Sequence, residues 1–133
     1  MAEFQFEIVT AERQVITTNV ESVLLPGVNG QIGIYSNHAP LLTALGIGVV
    51  EFGPKHQKKR KAAVAGGFAE VSSNKLTIFA HTAELAEEID VLRAKQAQAR
   101  AERRLQQKRE DMDFNRARIA LKKAINRIKA AEE

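Results

Sequence analysis

Ile89-Asp90-Val91-Leu92-Arg93-Ala94 is the stretch at which the chain changes character, and where it falls decides the fold. Before it, the residues read as short strands punctuated by Gly, Pro and Asn, and residues 1–84 carry seven Lys+Arg against seven Asp+Glu. After it everything reads as helix. Residues 85–133 contain no Gly and no Pro, and their thirteen Lys+Arg against nine Asp+Glu account for the whole net charge of +4. A neutral β half, residues 1–84, and a basic helical half, residues 85–133, therefore share one chain. The β half is long enough to bury a modest core, whereas the helical half has to lean on another surface.

Composition removes several function classes. With no Cys there is no disulfide framework, thiolate zinc site or cysteine nucleophile, which fits a reducing compartment. The opening Met1-Ala2-Glu3-Phe4 has neither the basic nor the apolar region of a signal peptide, and no run reaches the roughly 18 apolar residues of a membrane span. A soluble, cytoplasmic protein is expected. A sequence pI near 9.6 raises the question of nucleic acid, but 5% aromatic residues and no Trp leave little to stack on bases.

Within the β half, Phe4, Phe6 and Ile8 alternate with Gln5 and Glu7, the period of a strand with one buried face. Val15 to Thr18 and Val20 to Leu25 are β-branched or apolar runs, the second stopped by Pro26-Gly27. Asn29-Gly30 then predicts a tight hairpin turn into Gln31-Ile32-Gly33-Ile34-Tyr35. Ile47 to Phe52 and Ala62 to Ala65 predict a hairpin whose basic tip, Lys58-Lys59-Arg60-Lys61, is read as a solvated turn. Phe68 to Val71, a Ser73-Asn74 turn and Leu76 to Ala80 add two more strands, which together indicate an antiparallel sandwich or barrel. No phosphate loop occurs, because Gly27, Gly30 and Gly33 do not open a helix. His38, His56 and His81 stand singly and without metal-ligand spacing, so neither a catalytic residue nor a metal is assigned.

The helical half divides in two. Val91, Ala94, Ala101 and Leu105 keep a spacing of three or four with Gln98 interrupting, and Phe114, Ala117, Leu121, Ala124 and Ile128 keep it unbroken, broadened by Ile125. The polar run Gln106 to Asp111 separates the two, and Asp111 or Asp113 is expected to cap the second helix. An antiparallel helical hairpin with an alanine-rich seam follows. Alanine buries little apolar area, so the hairpin is expected to be marginally stable and easily opened. Its second helix carries Arg116, Arg118, Lys122, Lys123, Arg127 and Lys129 with no acid between Phe114 and Ala131. Solvated faces usually mix signs, so a one-sign face points to an acidic partner or an anionic ligand.

These blocks also resemble a known family. Gly30-Gln31-Ile32-Gly33-Ile34 with Asn37-His38-Ala39-Pro40-Leu41-Leu42-Thr43, then Gly66-Gly67-Phe68-Ala69-Glu70-Val71, then Ile89 to Ala94, look like the signature segments of the ε subunit of bacterial F-type ATP synthase, of the kind found in bacilli. The resemblance spans essentially the whole chain. It implies an α+β fold: a ten-stranded antiparallel β-sandwich, then an antiparallel two-helix hairpin. It also implies a non-catalytic rotor subunit of a proton-translocating enzyme, peripheral on the cytoplasmic face of the cell membrane and not inserted in it. Its partners would be the γ subunit and the c-ring, met through the loops holding Gln31 and His38. The hairpin would either fold against the sandwich or extend toward the α and β subunits through Arg116, Arg118, Lys122 and Lys123, inhibiting ATP hydrolysis when extended.

ATP, with or without Mg²⁺, is the implied regulatory ligand, and Glu84, Ile89, Asp90, Arg93, Ala94, Arg100, Lys123 and Arg127 are the implied contacts. Arg93 and Arg100, seven apart, share one helical face with Asp90 close to it, and guanidinium groups suit polyphosphate. Arg127, on the second helix, would join them only when the hairpin is folded. Lys123 departs from the Arg of relatives that bind ATP tightly; it keeps the charge but loses the bidentate fork. Without the resemblance, Asp90 and Arg93 read as a surface ion pair, and the basic helices also suit an adaptor for nucleic acid or another acidic partner.

Overall fold

The computed structural model describes residues 2–107 and 114–132. Eight strands come first: β1 (Phe4–Val9), β2 (Gln14–Val20), β3 (Ser22–Gly27), β4 (Gly30–Tyr35), β5 (Leu41–Ala44), β6 (Ile47–Gly53), β7 (Arg60–Ser72) and β8 (Lys75–Leu85). A single 3₁₀ turn, Ala86–Glu88, leads to the helices α1 (Val91–Gln107) and α2 (Phe114–Glu132). The strand order is β2-β1-β8-β7-β6-β3-β4, with β5 added on β7. Every pairing is antiparallel except that of β1 with β8, which is parallel.

The ladder becomes a sandwich because its two longest strands change partners halfway. Residues 60–65 of β7 pair with β6, whereas residues 68–71 pair with β5. Residues 75–79 of β8 pair with β1, and the rest of β8 pairs with β7 alone. The change falls at Gly66 and Gly67, which hold φ of 75° and 113°. A Cβ at Gly67 would lie 2.1 Å from the carbonyl oxygen of Phe79, so only glycine lets the strands bend past each other here. Each of β7 and β8 thus serves both layers, giving five strand segments per layer. The sequence expectation of ten strands counts those halves separately. Eight is the number of continuous strands, because the glycine pair bends β7 without ending it.

Alternating residues fill the space between the layers. Phe4, Phe6 and Ile8 of β1 are buried as their spacing predicts, and the Phe6 and Phe52 rings meet with centroids 4.9 Å apart. The β7–β8 turn is Ser73-Asn74, both at positive φ, as its composition indicates. The β3–β4 turn is displaced from its expected place. Gly27 pairs with Gly30, so the loop is Val28-Asn29 and Gly30 already belongs to β4; Pro26 lies inside β3 instead of ending it.

α2 lies across β6 and β7, and α1 packs on α2. Ala94 and Ala101 of α1 and Ala117 and Ala124 of α2 are buried, the alanine seam expected from the spacing, whereas Ala130, outside that spacing, is buried against Ala63 and Ile89. Phe114 and Ile125, expected in the apolar stripe, are 43% and 46% exposed. The seam is thus narrower than the sequence pattern. The expected caps Asp111 and Asp113 lie outside the described residues, as do Lys108 to Glu110 of the polar run. Among the described residues no helix is long and apolar enough to cross a membrane.

Candidate functional site

The border stretch begins with a hydrogen-bonded turn. The Leu85 N–H donates to the Glu88 carboxylate at 3.0 Å, and the Ile89 N–H donates to the Ala86 carbonyl at 3.2 Å. The Asp90 carboxylate then accepts the Arg93 N–H at 3.1 Å, satisfying one of the donors that the first turn of a helix leaves free. Asp90 is therefore the N-cap of α1. α1 begins only at Val91, because the 3₁₀ turn and the cap take up the residues before it. Asp90 also accepts from the Arg93 backbone rather than from its guanidinium, so the surface-pair alternative is replaced by a cap. Ile89 is buried against Ala63 and Ala130, and Ala94 is fully buried in the seam.

Between the outer face of β6–β8 and the hairpin lies a cavity of about 340 Å³, at the small end of the range for ligand pockets. Its walls are mostly small and apolar, with Ala63, Ala65, Ala97 and Ala124 among them, and its polar groups are Thr82, Glu84, Lys123, Asn126 and Arg127. Arg127 Nη2 donates to Glu84 Oε2 at 3.2 Å, and Arg127 Nε lies 2.6 Å from Oε1 as a charge contact off the hydrogen-bonding line. Arg93 and Arg100 sit four residues before and three after Ala97. They share the helical stripe of Ala97 without lining the cavity, and both are exposed. The fold thus collects Glu84, Lys123 and Arg127 at one cavity, and Arg93 and Arg100 do not line it. Ile89, Asp90 and Ala94 do not line it: they pack, cap and close the seam.

The residues singled out for partners lie elsewhere. Gln31 is exposed on β4 and lines a second cavity of about 300 Å³, to which α2 contributes Asn126 and Lys129. His38 is half-buried in the β4–β5 loop, its Nδ1 2.7 Å from the Ala39 carbonyl oxygen. Arg116, Arg118, Lys122 and Lys123 are exposed along α2.

Four residues escape the sequence reading, and a fifth, Arg60, read as part of a solvated turn, instead opens β7 and pairs with a carboxylate. Asn126 Nδ2 donates to the Gly48 carbonyl at 2.7 Å and reaches the Val64 carbonyl at 3.5 Å, tying α2 to neighbouring strands. Its signal was present: an amide in the middle of α2, between Lys122 and Lys129, where the other residues are cationic or apolar. The other four form two ion pairs at the end of β8. Arg13, from the β1–β2 loop, bonds Glu88 through both terminal nitrogens at 3.0 and 2.9 Å, and Arg60, at the start of β7, bonds Glu87 at 2.6 Å. The Arg13 guanidinium, helped by the Leu85 N–H, holds the Glu88 carboxyl below the usual range. Glu87 is lowered by its own backbone N–H and then by Arg60, and Arg13 is raised by Glu88. No local pattern joins partners 75 and 27 residues apart.

Known proteins match the chain throughout. Residues 3–86 match the beta-sandwich domain of the ATP synthase Delta/Epsilon chain, and residues 87–132 match its long alpha-helix domain. The ATP synthase epsilon chain of Desulforamulus reducens is 49% identical over 99% of this chain and 100% of that one. That of Syntrophomonas wolfei is 44% identical, with 100% and 98% covered. A chain of the Euglena gracilis mitochondrial ATP synthase shares the fold at a TM-score of 0.81 and 22% identity, covering all of this chain and 83% of that one. A β-sandwich bent at Gly66-Gly67, a helical hairpin after Ile89-Asp90 and full-length identity near one half lead to one conclusion: the chain belongs to the ATP synthase delta/epsilon family, as a non-catalytic epsilon subunit of the bacterial F-type enzyme.

Proposed function

We propose that this chain is a central-stalk subunit that reports ATP through its helical hairpin and restrains ATP hydrolysis when the hairpin opens. The observation carrying this reading is the way the hairpin is held down. Its seam is alanine, its contact with the sandwich includes the Asn126 and Arg127 side chains, and it roofs a cavity edged by Glu84, Lys123 and Arg127. The donor set suits ATP: cations for the phosphates, a carboxylate for an amino or hydroxyl group, and small apolar walls for a base. Arg93 and Arg100 add two guanidinium groups on the helical stripe of Ala97. Asp90 serves the site by capping the helix that presents Arg93, and Ile89 and Ala94 serve it by packing.

A ligand that binds only the folded hairpin stabilises it by about 0.4 kcal/mol when its free concentration equals Kd and by roughly 2.7 at a hundredfold excess. Terms of that size decide only a nearly balanced equilibrium, which a thin alanine seam supplies. With ATP scarce, the hairpin opens and Arg116, Arg118, Lys122 and Lys123 meet acidic surface on the α and β subunits. The sandwich meanwhile stays on the γ subunit and the c-ring through Gln31 on β4 and the His38 loop, at the cytoplasmic face of the membrane. Calorimetric titration of ATP into the purified chain tests the core of this. Binding is expected for the wild type and a loss of tenfold or more in affinity for Arg93→Ala with Arg127→Ala; no heat from the wild type refutes the reading. Neutralising Arg116, Arg118, Lys122 and Lys123 is expected to relieve inhibition in the assembled enzyme, and unchanged inhibition would remove the electrostatic part.

A further inference from the structure

The carboxylates of the 3₁₀ turn that links sandwich and helices are held from the sandwich side. Both carboxylates of the 3₁₀ turn are bound by arginines of the sandwich, Glu88 by Arg13 of the β1–β2 loop and Glu87 by Arg60 at the start of β7. Glu84, one turn earlier, is bound instead by Arg127 of the hairpin. The backbone bonds divide at the same place. The bonds of the turn end on the Ile89 N–H, given to Ala86, and those of the helix begin on the Asp90 carbonyl, which accepts the Ala94 N–H at 3.0 Å. Ile89 itself is extended, with φ −76° and ψ 125°. Rotation about the bonds flanking the Ile89–Asp90 peptide therefore costs neither the turn nor the first turn of α1 a hydrogen bond.

We propose that Arg13 and Arg60 clamp the 3₁₀ turn to the sandwich in both states of the hairpin, so that the helices pivot at the Ile89–Asp90 peptide. This rests on the opening of the hairpin set out above, and it names the residues that fix where opening starts. Ile89 is the gate of the pivot: its side chain packs on Ala63 of β7 and Ala130 of α2, and the second contact is lost when α2 leaves. The cap on Asp90 travels with α1, whereas the bond from the Leu85 N–H to Glu88 stays with the sandwich.

Amide hydrogen exchange on the full chain reads both sides of the pivot, since the Leu85 and Ile89 amides belong to the turn and those from Ala94 onward to α1. In an opened variant, Asn126→Ala with Arg127→Ala, α1 and α2 amides are expected to exchange faster while Leu85 and Ile89 keep their wild-type rates. Equal acceleration on both sides overturns the clamp. In Arg13→Ala with Arg60→Ala, exchange at Leu85 and Ile89 is expected to rise about fivefold with Phe6 and Ile8 in the core unchanged. Unaltered exchange at Leu85 and Ile89 there also overturns it. Failure of ATP to slow exchange in wild-type α1 would count against ligand control of the hairpin and leaves both tests of the clamp standing.

Discussion

Asn126→Ala isolates the attachment of the helices, because Asn126 sits on α2 and its acceptors on β6 and β7. The side chain is half-buried, and it gives a short bond to Gly48 and a long one to Val64. A net hydrogen bond of this kind is worth about 1 kcal/mol, and more where the partner is left dry. Gly48 borders the open cavity that Asn126 lines with Gln31 and Lys129, so water can replace the lost donor and the cost stays near the lower figure. About 1 kcal/mol is a factor of about five in the ratio of docked to undocked hairpin. The chain has no cysteine, so a dye pair on Ser72→Cys and Gln106→Cys, both exposed positions, reports the distance between sandwich and hairpin without background. The substitution is expected to raise the undocked fraction about fivefold and to leave the denaturation of the sandwich in place. An unchanged distance distribution, or a loss of stability confined to β6 and β7, would show that Asn126 supports the sheet and not the docking.

Three further outcomes follow from the geometry. Asp90→Ala is expected to cost α1 about 1 kcal/mol through the lost cap, whereas Asp90→Asn keeps a capping oxygen and costs a few tenths; helix exchange rates separate the two, and if ATP affinity falls in both alike, the carboxylate acts on the ligand beyond capping. Gly67→Ala has to place a Cβ 2.1 Å from the Phe79 carbonyl oxygen at a φ of 113°, so a loss of several kcal/mol of sandwich stability is expected in urea titration. The Glu87 carboxyl is held below the usual range by its own backbone N–H and then by Arg60, and that of Glu88 by Arg13 and then the Leu85 N–H, so their anchoring is complete above the unfolded value of about 4.3 and fades as pH falls through the depressed values. Exchange at Leu85 and Ile89, scaled for intrinsic rate, is expected to be flat from neutral pH down to about 5 and to rise below about 4; a rise already near pH 6 would refute that assignment.

How much was legible in advance varies with the range of the interaction. The hairpin of Ile47 to Gly53 and Arg60 onward, the Ser73-Asn74 turn and the alternating burial of Phe4, Phe6 and Ile8 depend on neighbours in the chain, and the residue pattern shows them. Strand number was harder, since a glycine pair can end a strand or bend it, and only the partners on either side decide. Glu84, Lys123 and Arg127 came from a family resemblance, and the structure sets them around one cavity. Asp90 stands in the same motif but caps a helix, a role that composition allows at every Asp ahead of an apolar run.

The sequence by itself determined the border at Ile89 to Ala94, a neutral β half before it, a basic helical half after it and an alanine seam between two helices. Those follow from period, turn chemistry and charge, all of which act over a few residues. Only the tertiary structure decided that Gly66-Gly67 folds one ladder into two layers, that Asn126 and Arg127 hold α2 on the sheet, and that Arg13 and Arg60 grip the turn before the helices. Each of these joins groups far apart in the chain, and which groups meet is fixed by packing the core, not by any local preference.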